Sequence, residues 1–61
     1  REEEYIHWIK FLSVKDLSTE RYNNEFMTDN AKDAKVLEIV NKKLKLIENE
    51  YQRRQNGNLD L

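Results

Sequence analysis

The chain has 61 residues, 38% of them charged, with 11 Lys and Arg against 12 Asp and Glu for a net charge of −1. At this length only about 60% of the surface exposed by the unfolded chain is buried on folding, so more than one domain is excluded and outside support is expected. Cysteine is absent and histidine occurs once, which excludes a disulfide framework and a histidine–cysteine metal site and leaves association as the available staple.

The two signs of charge are interspersed, so neither nucleic acid nor an anionic membrane is favoured electrostatically. No apolar run approaches the roughly 18 residues of a membrane span, and no secretory leader core follows a basic start. These features read as an intracellular protein, cytoplasmic or nuclear. The first residue is Arg1 rather than Met, which reads as a piece of a longer chain. Mean hydropathy is −1.01, so disorder until binding is the competing global reading; the apolar residues nevertheless fall in helical register. Proline is absent and glycine occurs once, leaving helix as the default along almost the whole chain.

The first segment, about Glu2 to Leu12, places Tyr5, Trp8, Ile9 and Leu12 at i, i+3, i+4 and i+7, one face of a helix. Ile6 and Phe11 widen that face toward a second contact surface. Glu2, Glu3 and Glu4 stand in the first turn, where the positive end of the helix dipole favours them. Ser13-Val14-Lys15-Asp16 fits a capping box and starts a new helix.

From Val14 to Met27 the pattern weakens, because only Tyr22 and Phe26 form a clear i, i+4 pair and Asn23-Asn24 interrupts. A short or irregular second helix is expected. Thr28-Asp29-Asn30 supplies three consecutive N-cap residues and predicts a long third helix from about Asn30 to Asn56. Gly57 would stop it in the left-handed conformation, with Arg53 and Arg54 suiting its negative end. Such a helix is roughly 40 Å long. The fold class is therefore all-α: a short first helix, a short or irregular second and a long amphipathic third, forming a helical hairpin or three-helix unit over residues 1–57, with a frayed tail at 58–61.

On the third helix Leu37, Val40, Leu44, Ile47 and Tyr51 recur at 3, 4, 3, 4. In heptad terms Leu37, Leu44 and Tyr51 take a, and Val40 and Ile47 take d. Asn30 and Asp33 end the seam on one side and Arg54 on the other. A second stripe, Val36, Ile39 and Leu46 with the stem of Lys43, occupies g and c. The helix is thus apolar on two adjoining sides. The second stripe is assigned to the intrachain core together with Tyr5, Trp8, Ile9 and Leu12, and the a/d seam to an oligomer interface centred on Leu44. Each buried Leu, Ile or Val contributes on the order of 1.5–3 kcal/mol, too much for a small domain to leave in water. Leu at a with β-branched residues at d leans toward a tetramer over a dimer, and Lys43 at g could face Glu48 at e of a parallel neighbour. The alternative is a monomeric docking module that binds a partner's helix or peptide between its helices.

No enzymatic constellation is found. His7 falls on the polar side of the first helix, no Ser or Cys nucleophile motif or Gly-rich phosphate loop exists, and no cofactor is implied. Asp29, Ala31 and Asp33 resemble the start of a calcium loop, but its Gly is missing and Val40 occupies the position of its final Glu. Lys32, Lys35, Lys42, Lys43, Lys45, Arg53 and Arg54 are interrupted by Glu38, Glu48 and Glu50. Glu38–Lys42 and Glu50–Arg54 are favourable i, i+4 pairs, so a solvated face is a better reading than a nucleic-acid patch. Leu59-Asp60-Leu61 is too short to specify a docking motif. In size, Lys/Asn/Glu-rich composition and helix pattern the chain resembles the short helical oligomerisation modules at the ends of large eukaryotic scaffold proteins, including telomere- and chromatin-associated ones; the resemblance assigns no residue.

Overall fold

The computed structural model describes residues 1–59, with side chains through Asn56. Three helices are present among the described residues: α1 at Glu2–Lys10, α2 at Val14–Asn30 and α3 at Ala34–Leu59. The all-α architecture expected from the sequence is the one observed.

The turn between α1 and α2 forms as its residues dictate. Phe11 and Leu12 return their N–H groups to the carbonyls of Trp8 and Ile9 at 3.1 and 3.2 Å. Ser13 then takes an extended conformation, and its hydroxyl accepts from the Asp16 N–H at 3.1 Å, the N-cap bond anticipated at that position.

Helix α2 departs from expectation: it is a regular helix of 17 residues, neither short nor irregular. Its polar residues bond backward instead of breaking it. Thr19, Asn24, Thr28 and Asn30 each donate a side-chain hydrogen bond to the carbonyl four residues earlier, so groups that usually compete with the helix are satisfied within it. The face turned toward α3 carries Leu17, Asn24 and Thr28, and the expected Tyr22–Phe26 pair lies outside, both rings more than half exposed.

The start of α3 is also displaced. Thr28, Asp29 and Asn30 finish α2, and after extended Ala31 the cap is Asp33, whose Oδ1 accepts from the Lys35 N–H at 2.8 Å. Gly57 does not end the helix, which continues through it to Leu59. The expected frayed tail thus begins inside α3, and its last residues, Asp60 and Leu61, lie outside the described ones.

Contacts fix the order in space. Ser18 on α2 meets Tyr51 on α3, hydroxyl to hydroxyl, at 3.0 Å, so the two run antiparallel. Glu2 at the start of α1 pairs with Lys42 at 2.7 Å, while Leu12 beyond its end receives Arg54 at 2.7 Å, so α1 runs parallel to α3. Because α1 begins opposite Lys42, the preceding two turns of α3 have only α2 beside them. The core is small: Ile9, Leu17 and Ile47 pack together with Tyr5, Leu12, Leu46 and Tyr51 around them, and Val40 is buried two turns from Ile47. The molecule measures 44 × 21 × 15 Å with a radius of gyration of 12.5 Å, against about 10.5 Å for a compact chain of this length.

Candidate interaction surface

The two stripes of α3 take different partners from those expected. Val40 and Ile47, assigned to an interface between chains, are buried inside this one at 2% and 0% exposure, and Leu37, Leu44 and Tyr51 beside them are half-buried. Long, regular α2 covers the seam. Of the residues assigned to the intrachain core, Ile9 is buried, and Tyr5, Leu12 and Leu46 are half-buried. Trp8, Val36 and Ile39 instead stand open at 48%, 38% and 57% exposure. The openness of Val36 and Ile39 follows from the position of α1, which begins opposite Lys42 and leaves the first turns of α3 uncovered on that side.

The open residues Trp8 and Ile39 border a groove between α1 and α3 of about 510 Å³. Trp8, Tyr5, Ile39 and Leu46 give it an apolar floor, with Arg1, Glu2 and Glu4 at the α1 side and Lys42 and Lys43 on the α3 side, Glu2 pairing with Lys42 across it. Its geometry is held from behind. The Tyr5 ring lies 5.8 Å from that of Trp8, tilted by 50°, and the Lys43 ammonium sits 5.2 Å from the Tyr5 ring centre in a cation–π contact. Tyr5 also donates from its hydroxyl to Glu20 at 2.6 Å, and Asn24 donates to the same carboxylate at 3.2 Å. Burial, then the Glu20 carboxylate, holds the Tyr5 phenol well above its ordinary range, because the charged phenolate is disfavoured in that setting. At the mouth, Glu2 keeps the Lys42 ammonium above the usual lysine range by accepting its hydrogen bond.

A second set of exposed apolar residues lies elsewhere. Tyr22 and Phe26 occupy the face of α2 turned away from α3, and Phe11 and Val14 flank the first turn, all more than half exposed. On the same helix Arg21 and Glu25 pair at 3.5 Å. His7 is exposed and meets the edge of Phe11, ring centres 5.1 Å apart.

One structural device escaped the sequence reading. Glu50, 4% exposed, accepts from Arg53 at 2.9 and 2.7 Å and from Arg54 at 2.6 Å. The same Arg54 donates to the carbonyls of Ile9 at 3.1 Å and Leu12 at 2.7 Å, closing the negative end of α1 with a positive charge. The Glu50–Arg54 pair was anticipated; its reach to α1 was not. Arg54 falls on the d position that follows Ile47, so an arginine in seam register was the available signal. Glu38–Lys42 does not form, since Lys42 turns to Glu2.

Among the described residues no group of three His, Asp or Glu side chains is placed to hold a metal ion, and no helix is long and apolar enough to cross a membrane. No protein-family model, curated protein or solved structure matches this chain.

Proposed function

We propose that this chain is a protein–protein interaction module that joins copies of itself, acting by binding and not by catalysis. The observation that carries this reading is the balance of apolar residues: among the described residues Trp8, Phe11, Val14, Tyr22, Phe26, Met27, Val36 and Ile39 are exposed, whereas only Ile9, Leu17, Val40 and Ile47 are fully buried. Apolar side chains exposed in that number in so small a chain support an interaction role. The association surface lies off the a/d seam, since Val40 and Ile47 are already occupied. The lean toward a tetramer rested on those positions facing another chain and loses its support with them.

Sedimentation equilibrium over a range of concentrations tests the reading, and a reversible self-associated species is expected. A particle of 7.4 kDa at every concentration would exclude it. The groove between α1 and α3 favours the second reading, a monomeric module that docks a partner's helix or peptide. That module would sediment as a monomer and keep one melting temperature until its ligand is added.

A further inference from the structure

We propose that α1 is a releasable strap: it opens as a unit from a hairpin of α2 and α3 that stays folded, and Arg54 is its latch. First, α1 cannot hold its own shape. It has 9 residues, fewer than the roughly 12–15 that an isolated helix needs in water, so its helicity depends on docking. Second, that docking is slight. Ile9 is the residue α1 commits to the core. Glu2 meets Lys42 at 2.7 Å in the open, Tyr5 donates to Glu20 at 2.6 Å, and Phe11 in the connecting turn is exposed. The hairpin has holds of its own. Val40 is buried where α2 alone lies beside α3, and Ser18 reaches Tyr51 at 3.0 Å. Third, one side chain closes the end of α1. A helix leaves its last carbonyls without partners inside it, and Arg54 donates to those of Ile9 at 3.1 Å, Lys10 at 3.4 Å and Leu12 at 2.7 Å. Glu50 holds the same guanidinium from behind at 2.6 Å. Bonds of this charged kind are about twice as strong as neutral ones. The latch and the Ile9 contact lie within one turn of α1 and are lost together, and their loss uncovers Ile47 and Leu46, which pack against Ile9 in the closed chain.

Hydrogen exchange of the backbone amides, followed by NMR on the intact chain in rising sub-denaturing urea, tests this. The amides from Ile6 to Leu12 are expected to share one opening, on the order of tenfold or more as frequent as the global unfolding that frees the central amides of α2 and α3. Its urea dependence should lie between zero and the global value, because release exposes only part of the apolar surface. Exchange of α1 at the rates and urea dependence of α2 and α3 would make the chain one cooperative unit and overturn the strap. Exchange of α1 that ignores urea would be fraying alone and would overturn it too. Two variants, each checked for helicity by circular dichroism, separate the same outcomes independently. Arg54→Met removes the latch and is expected to speed exchange in α1 by on the order of tenfold. Val40→Ala weakens a contact that the open and closed forms share. It should speed exchange in α2 and α3 by on the order of tenfold and leave α1 unchanged. If Val40→Ala speeds α1 as much as the other helices, or Arg54→Met leaves α1 as it was, the proposal fails. The urea series on the unaltered chain decides the matter even where a variant does not fold.

Discussion

Glu50 is the only carboxylate among the described residues that is buried, and what makes this tolerable is the pair of guanidinium groups on it. Arg53, then Arg54, hold its carboxyl below the ordinary range by donating to the charged form, against the opposing effect of burial. The sign of the linkage follows: with its folded value lowered, Glu50 stabilises the chain fully above the unfolded carboxylate range, roughly 4.3, and that contribution is lost as the pH falls through the lowered folded value. Replacing Glu50 with Gln leaves Arg54 partly buried, with no carboxylate on it and the carbonyls of Ile9, Lys10 and Leu12 to answer its charge. A loss of about 2–3 kcal/mol is expected at pH 7, read by urea denaturation. The variant's stability should also fall less steeply than the parent's between pH 5 and pH 3; parallel pH profiles would show that the Glu50 cluster is not energetically coupled to folding.

At the scale of the helix, the caps decide where elements start. Ser13 and Asp33 each accept from a backbone N–H in the first turn of the helix that follows. Substituting either by Ala is expected to cost about 1 kcal/mol, checked by chemical denaturation, whereas Asp29→Ala, in the last turn of α2, should change stability by less than about 0.5 kcal/mol. An equal cost at Asp29 would return the cap to the cluster that the sequence favoured. The contrast shows what was legible. The Ser13 cap, the Tyr5, Ile9 and Leu12 part of the α1 face and the periodicity of α3 were readable because each is a local pattern. The regularity of α2 was not, because its inward face is polar and small, Asn24 and Thr28 standing where a hydrophobic count looks for Leu. Which stripe of α3 faces inward depends in part on that miss: Ile47 is covered by Ile9 of α1 and Leu17 in the first turn of α2, whereas Val40, two turns earlier on α3, needs the later turns of α2. The groove was readable only in its parts. Trp8 and Ile39 were both singled out as apolar, but their exposure depends on where α1 begins along α3, a tertiary fact with no local signature.

The whole molecule has a core too small for its surface. Four fully buried apolar residues, at on the order of 1.5–3 kcal/mol each, stand against a conformational entropy cost of about 1–2 kcal/mol for every residue ordered. Partly buried side chains and hydrogen bonds must supply the rest, and the margin left to a single chain is narrow. A self-associating chain draws part of its folded stability from the assembly, and mass action then makes unfolding depend on concentration. For a dimer that unfolds to two chains, a tenfold rise in concentration adds about 1.4 kcal/mol per dimer, or roughly 0.7 kcal/mol per chain. With a sensitivity of about 4–8 °C per kcal/mol for a domain of this size, the midpoint should rise by roughly 3–6 °C for each tenfold step. Thermal melts followed by circular dichroism over a hundredfold range of concentration measure this directly. A midpoint that stays constant over that range would place all the stability within one chain, and the open floor of Trp8 and Ile39 would then belong to a different partner.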